Sequence, residues 1–390
     1  MTKFLKRFFD DTAATGFAIF SMFFGAGNVV YPLVIGRYAG DKNIYAVTGF
    51  LLTAVGVPLL GLTAMVLFAG DYKAFFKRLG KIPGMFIITM SMALIGPLAA
   101  IPRCVALSYS TMEGFFPGLK LLYFSIAACV LIYILASNKC NVVDLLGRIL
   151  SPVLLVSLLV IIVKGFISGP VASSVYGLKR VFFMEGLIEG YNTMDIFAGF
   201  FFAGVIIAGL RCRTNSSSEA SIVRKTVTSG LFGVSLLGAI YAGFSYVSSF
   251  YSVHLAAVES DALISAVSFY TLGSYASIIA CLAVSLACLT TAIALSVVFS
   301  DFVRTELFKN RVGYKSTLLM SMAVAFAMSN IGFSGIVRLV APILAICYPA
   351  LIVLAIFNIA HKMWGVKIVK MPVFLTFAAV VLHKTIQYFG

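Results

Sequence analysis

Phe23-Phe24-Gly25-Ala26-Gly27-Asn28-Val29-Val30-Tyr31-Pro32 lies in the middle of an apolar run at residues 15–37, and its reading decides what kind of helical protein this is. Two glycines within three residues, then Asn and Pro, weaken a helix, at about 1 kcal/mol for each glycine and about 3 for an interior proline. In hydrocarbon no water replaces a lost backbone hydrogen bond, so such a segment persists only against protein or a water-filled cavity. Two readings fit these residues. One is a small-residue notch for close helix packing. The other is an unwound segment at Gly25, Ala26, Gly27 and Asn28, whose bared amides can hold an anion and whose bared carbonyls can hold a cation.

Outward from that stretch, apolar runs recur along nearly the whole chain. They fall near 15–37, 44–69, 83–110, 119–137, 144–168, 192–210, 226–250, 273–300, 316–333, 335–359 and 371–389. Each matches the roughly 20 residues that a helix needs to cross about 30 Å of hydrocarbon. The chain is 61% hydrophobic and 11% charged, against about 25% charged in an ordinary soluble domain. The runs are continuously apolar, whereas membrane barrel strands alternate over about ten residues. The expected class is therefore an all-α, multi-pass membrane protein.

The net charge of +15 is not that of a nucleic-acid binder, because the Lys and Arg cluster in short connections between apolar runs. Most of them, including Lys73, Lys77, Arg78, Lys81, Lys139, Arg148, Arg211, Arg213, Arg304, Lys309 and Arg311, share one side if the N-terminus is cytoplasmic, as positive-inside placement requires. The basic N-terminal stretch from Lys3 to Arg7 precedes an apolar segment too long for a secretory signal and interrupted by Pro32, so it reads as a retained first helix. The cysteines lie at unrelated spacings and read as small packing residues.

The longest connection, about 169–191, divides the chain. It reads as a loop with an interfacial turn around 181–188. Residues 15–168 and 192–360 each hold five spans, and 366–390 supplies one extra C-terminal helix. An odd number per half inverts one half against the other, and inverted repeats with interrupted helices mark transporters. Met22-Phe23-Phe24-Gly25-Ala26-Gly27 in one half echoes Phe200-Phe201-Phe202-Ala203-Gly204 in the other. No phosphate loop for ATP is present, so uphill transport would draw on an ion gradient and require no ATPase subunit. Arg103 is a charge well inside a span, and intramembrane charges are paired or functional; gate and anchor both fit it, with Asp195 or Glu113 as partner. Asp195, after Thr193, also suits the start of a helix.

FFGAGNVVYP, with IGPLAAIPR (Ile95–Arg103), EGYNTMD (Glu189–Asp195), LACLTTAI (Leu286–Ile293) and Pro342 with Tyr348-Pro349 in one late helix, resembles the branched-chain amino acid:cation symporter family. The motifs keep the family's order and span nearly the full chain. The resemblance implies a LeuT-type fold of two inverted five-helix repeats and import of L-leucine, L-isoleucine and L-valine with Na⁺, by alternating access, across the inner membrane of a bacterium. It implies no further cofactor. It also implies a sodium set of the Ser21 and Phe24 carbonyls with Ala287, Thr290 and Thr291, matching an Ala-x-x-Thr-Thr pattern; read by themselves, Thr290 and Thr291 equally suit interhelical hydrogen bonding. Relatives with a second sodium carry Asn where this chain has Met22, and a thioether is a poor ligand for a hard cation, so one sodium is expected.

The resemblance places the substrate carboxylate on the amides of Ala26 and Gly27, and the amino group on carbonyls near Phe20 and around Phe200–Phe202. Phe23, Phe201, Phe202, Ala203 and Ile101 would wall an aliphatic pocket, which separates side chains differing by one methylene by only about 1–3 kcal/mol. Other classes leave different marks. A proton-coupled permease needs a titratable group at the site, for which Asp195 is available. An ion channel needs a polar pore-lining stripe, and a membrane enzyme a convergent set of catalytic groups; neither is legible.

Overall fold

A computed structural model describes residues 2–113, 116, 118–137, 151–213, 219–273 and 276–389. Lys139, Cys140 and Arg148 and the start of the span expected at 144–168 lie outside them. In chain order the helices are α1 (Thr2–Phe23), α2 (Ala26–Ala39), α3 (Asn43–Leu51), α4 (Val57–Leu67), α5 (Tyr72–Lys77), α6 (Lys81–Ala93), α7 (Ala100–Glu113), α8 (Leu121–Ala136) and α9 (Ser151–Ser168). After these come α10 (Lys179–Tyr191), α11 (Asp195–Arg213), α12 (Glu219–Phe250), α13 (Ser252–Leu255), α14 (Leu263–Leu272), α15 (Ala276–Phe302), α16 (Tyr314–Ser329), α17 (Phe333–Trp364) and α18 (Lys370–Phe389). No strand occurs among the described residues.

By length and composition, five helical stretches among the described residues can each cross a membrane, and six if the bent pair α10 and α11 counts as one. That is fewer than the runs read from sequence, because Ala26–Leu67 continues through two of them as one stretch and Thr12–Phe23, Leu121–Ala136 and Pro152–Ser168 are short; two runs are also broken or kinked within. The first run is cut between α1 and α2 at Phe24–Gly25 alone; Ala26, Gly27 and Asn28, expected to be unwound, already form the first turn of α2, and Pro32 lies inside that helix, because Gly25 and the Asn28 side chain cap it. The third is cut by the π-helical turn Leu94–Leu98, where Gly96 leaves helical backbone at φ −87°, ψ −127°. Pro97 follows it, and a residue before proline is steered out of the α region.

The segment 169–191, read as a loop, is helical from Lys179 onward. α10 and α11 meet at a bend of 41°, through Asn192–Met194, with Met194 at φ 66°. The molecule therefore contains a second broken helix, and it resembles the first. α1 and α2 pack along α12, while α10 and α11 pack along α3 and α4. Each broken helix thus lies against the helix that follows the other one, the exchange expected when one five-helix repeat is inverted on its copy.

Glycines permit that closeness. A Cβ on Gly36 would run into the Ser245 carbonyl of α12, one on Gly49 into the Phe183 carbonyl of α10, and one on Gly186 into the Ala46 carbonyl of α3. Without a hydrophobic drive between helices in lipid, such backbone approach supplies the dispersion contact that holds them.

Candidate functional site

The two breaks face each other at the centre of the bundle. At the first, Gly25 is extended (φ −111°, ψ −162°) and caps α2. Its amide donates to Asn28 Oδ1 at 3.0 Å, so the Asn28 side chain does the work that helix continuation would have done. Asn28 Nδ2 in turn donates to Asp195 Oδ2 at 2.6 Å and also meets the Tyr241 hydroxyl, which donates to the same carboxylate oxygen at 3.2 Å. Asp195 opens α11, where its charge complements the helix dipole. One buried cluster thus ties the start of α2 to the start of α11.

On the other side of the first break, α1 ends with bared carbonyls. The Thr291 hydroxyl reaches Phe24 O at 3.0 Å and Ser21 O at 3.3 Å. Thr290 Oγ reaches Ser21 O at 3.2 Å and Ala287 O at 3.0 Å. All five residues expected to hold sodium are therefore brought together, between the end of α1 and the middle of α15. Oxygens sharing a hard cation at about 2.4 Å stand roughly 3–3.5 Å apart, so the donor set fits such an ion in spacing and in kind. It contains no carboxylate, which suits a monovalent rather than a divalent cation. Gly25 keeps the group tight: a Cβ there would stand 3.0 Å from Thr291 Cγ2.

Between the breaks lies a small cavity lined by Met22, Phe23, Gly25, Ala26, Gly27, Asn28, Ile95, Ala100, Arg103, Cys104, Thr193, Met194, Asp195, Ala198, Phe202, Thr291 and Leu295. Its free volume is about 30 Å³, room for about one water. Phe23 and Phe202, edge to face at 5.8 Å, form part of its wall.

Of the expected substrate contacts, Phe23, Gly25, Ala26, Gly27, Asn28 and Phe202 line this cavity, and Phe20, Ile101, Phe200, Phe201 and Ala203 do not. Phe20 faces Phe24, ring on ring at 5.3 Å, and its carbonyl is used by the Phe24 amide at 2.9 Å. Phe200 packs on Phe75 and Phe76, and Phe201 on Tyr72 and Phe76. Their stretch is regular helix, because the second break falls at Asn192–Met194 and not at the echo of FFGAG. Carbonyls around 200–202 are thus spent within α11 rather than bared.

Arg103 is buried, with 3% of its surface exposed. It pairs with neither Asp195 nor Glu113: no described carboxylate lies within 4.0 Å of it, and Glu113 accepts from Tyr109 instead. Nη1 donates to Asn192 O and approaches Met194 Sδ, both at 3.2 Å, and Nη2 donates to the Tyr31 hydroxyl at 2.8 Å. Beyond Asn192, whose amide donates to Glu189 Oε2 at 2.9 Å, an open cavity of about 510 Å³ is lined by Arg37, Glu185 and Glu189 among others. Arg103 lines the central cavity and is linked through Asn192 to Glu189 on the wall of that vestibule. Sequence reasoning missed Tyr31, Tyr241 and Tyr348, whose hydroxyl accepts from the Ile196 amide at 3.1 Å; their roles arise only from contacts distant in the chain.

Two facing broken helices around a central cavity, each packed on the helix that follows the other, make this an all-α, multi-pass membrane protein of the LeuT-type fold. Solved structures agree in fold. The chain superposes on "Inward facing conformation of Mhp1" with a TM-score of 0.61 at 13% identity, covering 89% of this chain and 77% of that one. A Na⁺-coupled sialic acid symporter in a substrate-bound outward-open state gives 0.56 at 10% identity, over 95% and 88%. The chain belongs to the family described as "Branched-chain amino acid transport protein", which matches residues 9–388. Among its relatives, the branched-chain amino acid permease BraB of Bacillus subtilis (strain 168) is 31% identical over 362 residues, covering 91% of this chain and 81% of the relative. The branched-chain amino acid transport system 3 carrier protein of Pseudomonas aeruginosa is 28% identical, over 91% and 82%. Family and relatives are transporters, and the chain is a transporter rather than an enzyme.

Proposed function

We propose that the protein imports leucine, isoleucine and valine in symport with one Na⁺, exposing a midplane site alternately to either side. The observation that carries this reading is the oxygen cluster of Ser21, Phe24, Ala287, Thr290 and Thr291, set against the end of α1 that also walls the central cavity. The names of the relatives supply the substrate class, and the aliphatic and aromatic walls, Met22, Phe23, Ile95, Ala198, Phe202 and Leu295, suit a branched side chain. Occupation by a whole amino acid needs the walls to part, as alternating access requires. Positive-inside placement puts the N-terminus in the cytoplasm of a bacterium and the vestibule at Arg37 and Glu189 outside.

The experiment is radiolabelled leucine uptake into proteoliposomes under imposed Na⁺, H⁺ and K⁺ gradients. Uptake should follow the Na⁺ gradient and be competed by isoleucine and valine. One observation favours a second reading: Asp195, a carboxylate buried at the second break with Asn28 and Tyr241, gives a proton a place to ride. Accumulation driven by a pH gradient in sodium-free buffer selects that reading and removes the sodium coupling.

A further inference from the structure

Arg103 and Asp195 are the two charged side chains that line the central cavity, and their situations differ. Asp195 is spoken for by Asn28 and Tyr241. The direct contacts of Arg103 are all neutral: a backbone carbonyl, a thioether, a phenol and the faces of Tyr31 and Phe333, with its guanidinium carbon 5.4 and 5.5 Å from the ring centroids, while the carboxylates of Asp195 and Glu189 act on it only from beyond contact distance. Its Nε–H, fully buried, has no partner, and Nη2 has the Tyr31 hydroxyl as acceptor for one of its two hydrogens. A guanidinium presents Nε–H and Nη2–H along one edge, spaced to receive both oxygens of a carboxylate. The aromatic faces and the Asn192 carbonyl already fix the side chain's orientation, so little freedom remains to be lost on binding.

A buried cation with no anion in contact remains costly until one joins it. The surroundings offer that anion a second set of donors. α2 begins at Ala26, so its positive end and its first amides open into the same cavity. Gly27 brings the two together: a Cβ there would stand 3.3 Å from Arg103 Nη2.

We propose that Arg103 is a substrate ligand, receiving the amino acid's carboxylate on its Nε–Nη2 edge opposite the N-terminus of α2. This rests on the amino-acid reading above and deepens it, since a side chain lining the central cavity then selects for a carboxylate. Solutes that have the branched side chain and lack the acid are refused.

The test is equilibrium binding of radiolabelled leucine to the purified full-length protein in nanodiscs with Na⁺, with two competitors, 4-methylpentanoate (no amine) and 3-methylbutylamine (no carboxylate). On wild type, 4-methylpentanoate should compete measurably and 3-methylbutylamine should not. Arg103→Gln, checked by size-exclusion profile and melting, should weaken leucine roughly 10- to 100-fold, the range for a charge-assisted contact, and abolish competition by 4-methylpentanoate. Arg103→Lys keeps the charge without the two-donor edge and should fall between, which keeps the test decisive if the glutamine variant fails to fold. Leucine binding within twofold of wild type in a folded variant, whatever happens to its transport rate, overturns the proposal and leaves the amino-acid reading standing. Wild-type protein that binds no leucine overturns that reading, and this one with it.

Discussion

Replacing Thr291 by valine removes one hydroxyl and almost nothing else. In the present arrangement that hydroxyl stands 3.0 Å from Phe24 O and 3.3 Å from Ser21 O. On the proposed function it is one of five neutral oxygens offered to Na⁺ and would make a charge-assisted contact of about 1.5–3 kcal/mol; at 1.4 kcal/mol per decade its loss becomes a roughly 10- to 100-fold rise in the Na⁺ concentration for half-maximal leucine uptake. Valine also strands the Phe24 carbonyl in a dry setting, at about 1–3 kcal/mol, so the melting temperature should fall as well. Thr291→Ser restores the oxygen and should return the Na⁺ requirement to within about threefold, whereas the melting temperature need recover only in part because the methyl is lost. The assay is initial leucine uptake into proteoliposomes over a Na⁺ series, with protein content and orientation matched. A valine variant that takes up leucine with an unchanged Na⁺ requirement would mean that the hydroxyl serves only to lace α15 to α1, and the cation would have to sit elsewhere.

Asn28→Ala should reduce thermal stability more than Tyr241→Phe, because the Asn28 side chain bonds the Gly25 amide, Asp195 and the Tyr241 hydroxyl while the phenol bonds Asn28 and Asp195; at about 1 kcal/mol per bond, equal losses in thermal melts would contradict the network. Gly186→Leu should separate α10 from α3, where a Cβ already meets the Ala46 carbonyl, costing about 2 kcal/mol or more as overpacking does and showing as a lower melting temperature with poor monodispersity. For topology, Tyr176→Cys and Arg311→Cys, both at exposed positions, should react with a membrane-impermeant maleimide from opposite sides, Tyr176→Cys in intact cells and Arg311→Cys only after permeabilisation; the reverse pattern inverts the proposed orientation.

The first break was legible because Gly25, Gly27 and Pro32 announce it in composition. The second was not. Asn192-Thr193-Met194 contains neither Gly nor Pro, and Thr193 with Asp195 imitates an ordinary helix start. The helix before it, α10, carries Lys179, Arg180, Glu185 and Glu189, which disguises it as a connection. The echo at Phe200–Gly204 misled because it matches in composition only: nothing there breaks a helix, and Phe200 and Phe201 have aromatic partners on α5 to hold them. A better signal was present in Gly186 and Gly190, a small-residue spacing of the kind that brings membrane helices together. The sodium set came from a family pattern and not from chemistry, since two threonines in a helix ordinarily bond their own backbone; the Ala287 carbonyl is indeed one of Thr290's acceptors. Arg103 was conspicuous as a buried charge, yet its lack of a carboxylate partner is a tertiary fact.

On the proposed function, coupling would have its physical seat in the shortness of the first break. Ser21 and Phe24, whose carbonyls face Thr290 and Thr291, flank Phe23, whose ring closes on Phe202 across the cavity at 5.8 Å. One turn of α1 thus presents its carbonyls to the cation cluster and a side chain to the substrate. On the proposed function, an ion that fixes those carbonyls also fixes the ring, and the leucine affinity must change with it, because a ligand shifts an equilibrium only by its differential affinity for the two states. Phe23→Ala severs that link: the cation cluster is left intact, and the cavity gains the space a ring occupied. Measured as the ratio of leucine dissociation constants without and with Na⁺, coupling of the usual 1–3 kcal/mol would give a factor of about 5–150 for wild type. The alanine variant should bring that ratio close to unity while still binding leucine. If the ratio in Phe23→Ala equals that of wild type, the ring is a wall and no more, and the coupling must run through Gly25 and the Asn28–Asp195 cluster instead.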